Sequence, residues 1–269
     1  MYLADYHVHS TCSPDGHCTM SRMAEAAVAC GLQEICLTDH LDTVEWGTYA
    51  PRTTFDWMEA VRQVEEARSL WGDRLTIKLG AELGEAALSF DRAEQLLADV
   101  PPLDFVIGSV HLMGPRYGRE DLYYIPKGDA AYYRDVIDDY LDDVLALARW
   151  GKFQVLGHMT LPVRYIWKNS GDTVDFSDHL DRVEEIFRTI IPRGVGIECN
   201  TNRGMTPLPD EPILRLYRQM GGEVITIGSD AHIGAYVGFR VKETQALLRR
   251  CGFRHITTFT KGRPEFQPL

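Results

Sequence analysis

The sequence has no apolar run of the 18 or more residues that a membrane helix needs, so no membrane partner is expected. Its opening stretch, MYLADYHVH, lacks a basic region followed by an apolar one, and so carries no secretory signal. Those two absences together predict a cytoplasmic protein. None of the six cysteines (Cys12, Cys18, Cys30, Cys36, Cys199 and Cys251) forms a CxxC pair, which excludes a zinc ribbon or a redox motif and leaves reduced thiols as the reading. Basic charge is scarce: 28 Lys and Arg against 39 Asp and Glu give a net charge of −11. The only dense basic stretches, LLRRCGFRH and TKGRPEF, are short and lie near the C-terminus. A protein that tracks a nucleic-acid backbone needs more, so a polyanion is not the expected partner. A small anionic substrate stays open, because bound metal cations supply positive charge locally.

Apolar runs alternate with helical patterns along all 269 residues. The spacing predicts helices in TMSRMAEAAVACGL, FDWMEAVRQVEEARSLWG, AAYYRDVIDDYLDDVLALARWG, FSDHLDRVEEIFRTIIPRG (capped by Ser177 or Asp178), DEPILRLYRQMGG and the end of AYVGFRVKETQALLRRCGF. FDRAEQLLADV is a shorter helical segment, where irregularity is expected. Strands are predicted in LADYHVH, EICLTDH, LTIKLGAE, LDFVIGSVH, FQVLGHM, VGIECNTN and EVITIGSDAH. Seven β–α alternations without a mid-chain linker predict an α/β fold, a parallel sheet closed or nearly closed into a barrel, with a doubly wound open sheet as the alternative.

Ionisable side chains gather where these strands end. The first delivers His7 and His9, two residues apart and therefore on one face. The others deliver His40, Glu82, His111, His158, and Asp230 with His232. In a parallel barrel those ends share one rim, where active sites are built. Six of the nine histidines fall there, more than one ion can coordinate, and imidazole with carboxylate suits zinc, manganese or iron. His179 and His255 read as ordinary packed or solvated residues, and His17 is undecided.

At these positions the sequence resembles the PHP (polymerase and histidinol phosphatase) superfamily, whose metal motifs HVHS, TDH, GAE, GSVH, GHM and GSDAH follow in order. LDFVIGSVHLMG, VLGHMTLP, IECNTN and the ending VGFRVKETQALLRRCGFRHITTFTKGRPEFQPL resemble its histidinol-phosphate phosphatase branch. The resemblance implies a distorted seven-stranded TIM-like (β/α) barrel, one domain over residues 1–269, and two or three divalent metals. It implies His7, His9, Glu82 and Asp230 at one metal, with Glu82 bridging to a second held by His111 and His158. A third would use His40, His232 and a residue of the loop after the first strand. The family often has a histidine eight residues after the first motif histidine, where this chain has Asp15. Asp15 is favoured, because a carboxylate coordinates well and the SPDG turn can aim it inward; His17 stays open.

The implied activity is hydrolysis of L-histidinol phosphate to L-histidinol and phosphate in histidine biosynthesis. The expected nucleophile is a metal-bound hydroxide. The leaving group would take a proton from Asp230, Asp39 or a water on the third metal. Arg164, Arg203 and Arg116 are candidate phosphate clamps, against the alternative of solvated loop arginines. Glu198 and Asn200 share a strand face and would bind the substrate ammonium, orient a ligand or make an inward structural bond. Asp39, beside His40, is a candidate for orienting an imidazole. A different small phosphate ester, a nucleic-acid end and a non-catalytic metal-binding protein are the alternatives.

Overall fold

Seven strands lie in one parallel sheet in chain order: β1 (Ala4–Val8), β2 (Glu34–Leu37), β3 (Thr76–Gly84), β4 (Phe105–Ser109), β5 (Val155–Leu156), β6 (Gly196–Asn200) and β7 (Ile225–Gly228). This is a computed structural model that describes residues 1–269. β1 and β2, and β4 to β7, are buried along their whole length, as strands covered by helices outside and packed side chains inside must be. Past the strand ends the ring nearly closes: Asp230 N donates to His7 O at 2.8 Å and His9 N to Ala231 O at 2.9 Å. The expected barrel is therefore what forms. Its distortion lies in the unequal strands, nine residues in β3 against two in β5.

The helices are α1 (Met20–Ala29), α2 (Trp57–Trp71), α3 (Phe90–Ala98), α4 (Ala130–Trp150), α5 (Pro162–Ser170), α6 (Leu180–Ile190), α7 (Glu211–Gln219) and α8 (Val241–Arg250). Thr19, Asp56, Ser89, Asp129 and Asp210 each accept from a backbone N–H three residues on, which caps α1, α2, α3, α4 and α7. The cap expected at Ser177 or Asp178 does not form. Those residues belong to a 3-10 turn, Ser177–His179, and Asp175 Oδ1 accepts from Ser177 N, so α6 starts at Leu180 without a side-chain cap.

Two elements were not anticipated. α5 follows β5 directly, begins with Pro162 and stops at Gly171, whose φ of 76° is the left-handed turn that ends a helix. After α8 the chain forms an antiparallel hairpin, β8 (His255–Thr260) and β9 (Arg263–Pro268). Its turn residues Lys261 and Gly262 both have positive φ, 52° and 73°. The hairpin closes the end of the barrel opposite the ionisable rim: Phe259 stacks on Phe105 with centroids 4.9 Å apart, and Phe259 N donates to Tyr6 Oη at 2.7 Å. One continuous core of 68 buried residues runs from Ala4 to Phe259. No helix is long and apolar enough to cross a membrane.

Candidate metal centre

Glu82 sits at the centre of the rim, fully buried, with each carboxylate oxygen turned to a different group of imidazoles. Oε1 lies 2.9 Å from His158 Nε2, 3.2 Å from His111 Nε2 and 2.6 Å from Ser109 Oγ. Oε2 lies 3.0 Å from His40 Nδ1, 3.3 Å from His7 Nε2 and 3.5 Å from His9 Nε2. Asp230 adds Oδ1 at 3.5 Å from His9 Nε2, and its φ of 58° turns the chain so that the carboxylate faces back over β1. Asp15 Oδ2 is 2.8 Å from His232 Nε2, and its Oδ1 is 3.8 Å from His40 Nε2.

His7 Nε2, His9 Nε2, His40 Nδ1, Asp15 Oδ1 and Glu82 Oε2 are buried without a hydrogen-bond partner. Buried polar atoms are ordinarily paired, so this convergence of lone pairs calls for a cation. Four overlapping sets have their ligand atoms within 4.8 Å of one another: His7–His9–Asp230, His7–Glu82–His158, His40–Glu82–His111 and His9–His40–His232. Nitrogen and carboxylate oxygen in these numbers fit two or three borderline divalent cations.

Electrostatics divide the donors: against their burial, neighbouring carboxylates (Glu198, Asp42 and Glu82 first among them) raise His7, His40 and His111 above the usual histidine range, while two others are lowered. Burial, then the charges of His232 and His40, hold His9 well below the usual histidine range, and burial lowers His158 too, so both tend to the neutral form that ligates. Burial alone would raise Glu82, but His7, His111 and His40 outweigh it and keep the carboxyl well below its ordinary value. Asp15 is brought to about 2, burial being outweighed by its bond to His232 and the charge of His40.

A second ring of contacts orients the imidazoles. His7 Nδ1 donates to Glu198 Oε1 at 2.7 Å, and His158 N donates to Glu198 Oε2 at 2.7 Å. Glu198 reaches them because Gly228, two residues beyond its β7 partner Thr226, has no side chain: a Cβ there would lie 2.0 Å from Glu198 Oε1 and 2.4 Å from His7 Cβ. Glu198 is 1 % exposed and therefore unavailable to a substrate ammonium, which corrects that expectation. Asn200 is likewise buried, accepting at Oδ1 from Arg164 Nη2 (2.8 Å) and Asn202 N (2.9 Å), and does not bind substrate. Asp39 is buried under the loop after β1, accepting from Ser10 N, Ser10 Oγ and Ser13 Oγ. Through Ser13 Oγ it reaches both His9 Nδ1, at 3.1 Å, and the backbone N–H of His40, at 3.0 Å, and it is too enclosed to protonate a leaving group. Sequence reasoning missed Ser13, Ser109 and Glu85. Glu85, at a φ of 61° just past β3, accepts from His111 N at 2.8 Å and pairs with its Nδ1 at 2.9 Å.

The arginines divide three ways. Arg203 is exposed at the rim, lines the cavity above the cluster and rests 5.6 Å from the Tyr236 ring centroid. Arg164 lines the same cavity, but its fork is engaged: Nη1 donates to Asp230 Oδ2 at 2.6 Å, Nη2 to Asn200 and Nε to Asn202 Oδ1 at 2.7 Å. Arg116 lies off the cavity on the outer surface, its Nε 3.2 Å from Asp139 Oδ1, so the phosphate role expected for it is corrected. The cavity itself, about 300 Å³, is walled by Trp46, Tyr49, Tyr123, Tyr124 and Tyr165, with Glu45 and Asp121 among them. His179 is buried away from it against Asp138, and His255 stands on β8 at the opposite end. His17 has an exposed side chain, and only its N–H engages the site, donating to His232 O at 3.0 Å.

Two substitutions read this geometry. Asp15→Ala is expected to lower the metal retained after dialysis, whereas His17→Ala retains the full complement; elemental analysis giving the reverse order would assign the third position to His17. Glu198→Gln is expected to cost about 10- to 100-fold in metal affinity, the usual effect of losing an orienting partner. Competition with a chromogenic chelator measures this, and unchanged affinity would remove Glu198 from that role.

Comparison with known proteins agrees with this architecture. The histidinol-phosphatase of Lactococcus lactis is 28 % identical over 264 residues, covering 95 % of this chain and 94 % of that one. The crystal structure of the Lactococcus lactis histidinol phosphate phosphatase complexed with zinc, L-histidinol and phosphate superposes with a TM-score of 0.82 at 23 % identity over 98 % of both chains, a likeness of fold. A structure from work on metal-dependent tyrosine phosphatases of Bacillus subtilis and Streptococcus pneumoniae gives 0.50 at 15 % identity, covering 92 % of this chain and 87 % of that one. Residues 5–202 match the PHP domain. That match includes every ligand candidate except Asp230 and His232, and by it the chain belongs to the PHP domain family.

Proposed function

We propose that this chain is a metal-dependent phosphomonoesterase that hydrolyses L-histidinol phosphate, with all of residues 1–269 acting as one domain around the continuous core. The observation that carries the reading is Glu82, buried between two sets of imidazoles with one oxygen toward each. His7, His9 and Asp230 would hold one divalent cation, His111 and His158 a second, and His40, His232 and Asp15 a third. Bound there, such cations supply Lewis acidity for the phosphoryl oxygens and acidify water to near neutral pH. The protein does the rest. Arg203 offers an unpaired guanidinium to the phosphate at the cavity wall. Arg164 holds Asp230 as a carboxylate, since its charge outweighs the burial that would protonate it. The buried ring beneath the cluster excludes bulk water and fixes the imidazoles of His7, His9 and His111 against Glu198, Ser13 and Glu85 in turn.

The reading draws on the Lactococcus lactis relative, whose structure was solved with L-histidinol and phosphate. The cavity mouth suits the organic end of such an ester. Aromatic rings provide a face for an imidazole, and Glu45 and Asp121 provide negative charge for an ammonium. The same carboxylates repel a polyanion, which disfavours a nucleic-acid end.

Steady-state kinetics test the substrate. Histidinol phosphate is expected to show a higher kcat/KM than p-nitrophenyl phosphate, although the aryl ester has the better leaving group, because contacts to the amine and ring align the slower ester. Combining Glu45→Gln with Asp121→Asn is expected to cost about tenfold on histidinol phosphate and little on the aryl ester. A preference for the aryl ester in the unaltered protein would reject the substrate and leave the metal centre standing.

A further inference from the structure

Three rim imidazoles follow one rule. His7, His9 and His111 turn Nε2 toward Glu82 and rest Nδ1 on a partner outside the cluster: Glu198 Oε1 at 2.7 Å, Ser13 Oγ at 3.1 Å and Glu85 Oε1 at 2.9 Å. His40 departs from it. Its Nδ1 is buried without a hydrogen-bond partner, and so is Glu82 Oε2, although the two lie 3.0 Å apart. Its Nε2 is on the Asp15 side, 3.8 Å from Asp15 Oδ1. An imidazole that ligates through Nε2 carries its proton on Nδ1, and that proton needs an acceptor.

Asp42 has a spare one. It lies two residues beyond His40 on the loop after β2, is 1 % exposed, and its Oδ1 is buried without a hydrogen-bond partner, 3.7 Å from His40 Nδ1. A donor without an acceptor and an acceptor without a donor thus lie side by side inside the protein, where each alone is costly. Gly84 at the end of β3 makes the room: a Cβ there would lie 2.0 Å from Asp42 Oδ1. The other carboxylate oxygen is held in place, Oδ2 accepting from Trp46 Nε1 at 2.7 Å. The Trp46 ring stands edge-on to His40, centroids 4.8 Å apart, and forms part of the cavity wall.

We propose that Asp42 is a positioning residue for His40. A small turn of the ring closes the 3.7 Å gap, His40 Nδ1 donates to Asp42 Oδ1, and Nε2 is thereby aimed at the cation position it shares with Asp15 and His232. Glu82 Oε2 is then left to the cation on the His7 and His9 side. Through Oδ2 the same carboxylate ties the His40 position to Trp46 in the cavity wall. The inference rests on the three-cation reading of the centre and not on which ester is hydrolysed.

Zinc affinities of chelator-stripped protein, measured by competition with a chromogenic chelator, test it. The unaltered chain is expected to bind three ions. Asp42→Asn is expected to weaken one of them by about 10- to 100-fold and to leave the other two unchanged. An asparagine that turns its oxygen to His40 must face its NH₂ against the indole N–H of Trp46. Asp42→Asn combined with Trp46→Phe is therefore expected to regain about tenfold, since phenylalanine keeps a ring beside His40 without the N–H. Gly84→Ala, whose Cβ displaces Asp42 Oδ1, is expected to weaken the same ion. Cobalt(II), which quenches nearby indole emission, marks that ion: the Trp46 contribution, taken as the difference from Trp46→Phe, is quenched in the phase that Asp42→Asn loses. Unchanged affinity for all three ions in Asp42→Asn would overturn the role of Asp42 alone. So would a double substitution weaker than Asp42→Asn, the result for a carboxylate that merely holds the loop. An unaltered chain that never takes a third ion would overturn the third cation position and the inference with it.

Discussion

Glu82→Gln is expected to lower kcat/KM on every phosphomonoester by about a thousandfold and to reduce the bound metal. Glu82 presents Oε1 to His111 and His158 and Oε2 to His40, His7 and His9, so one carboxylate serves two cation positions. Glutamine keeps the shape but replaces one oxygen with an NH₂ that points donors at a cation, and it removes the charge that offsets two of them. A single preorganised electrostatic contact is worth roughly 3–4 kcal/mol in a dry site. Losing such a contact at one or both positions reaches the stated factor, since each 1.36 kcal/mol is tenfold. Steady-state kinetics with elemental analysis of the same preparation checks this. Near-normal turnover with full metal content would mean that the carboxylate does not bridge.

The two cavity arginines are expected to fail in opposite ways. Arg203→Ala should cost about a hundredfold in kcat/KM on all phosphomonoesters and leave thermal stability unchanged, because the side chain is exposed and free to meet phosphate. Arg164→Ala removes the buried partner of Asp230 and leaves Asn200 and Asn202 without their donor. Breaking a buried ion pair by deleting one member costs about 3–5 kcal/mol, so this variant should unfold at clearly lower denaturant concentration. Urea titrations and kinetics on both proteins decide it. A stable Arg164→Ala protein that had lost only phosphate affinity would return Arg164 to the role of phosphate clamp.

The contrast between these arginines marks how far the sequence alone could go. The rim was legible because two local rules suffice: alternate residues of a strand share a face, and parallel strands end on one side. Thus His7, His9, His40, Glu82, His111, His158, Asp230 and His232 could be collected without knowing any contact. Which partner each polar group meets was not legible. Arg164 and Asp230 are 66 residues apart, and Glu198 reaches His7 across a gap that exists only because Gly228 has no side chain. The i, i+2 rule turned Glu198 inward but could not show that His7 and His158 would consume both of its oxygens.

The missed elements had signals of another kind. α5 carries Pro162 in its first turn and Gly171 at its end, but LPVRYIWKNSG is too short for a periodic pattern to stand out. The hairpin has the β-branched and aromatic run HITTFT, but its turn is Lys-Gly, which lacks the Asn or Asp that usually announces two positive φ angles. Neither omission displaced a ligand candidate, because the hairpin plugs the far end of the barrel and α5 only changes how Arg164 is held.

Reconstitution of chelator-stripped protein with zinc, following phosphate release from histidinol phosphate against metal content per chain, tests the centre most directly. The geometry around Glu82 predicts no turnover in the stripped protein, little at one equivalent, and a rise to a plateau only when two or three ions are bound. Full hydrolysis in the stripped protein, or saturation of activity at a single equivalent, would contradict a cluster bridged by Glu82.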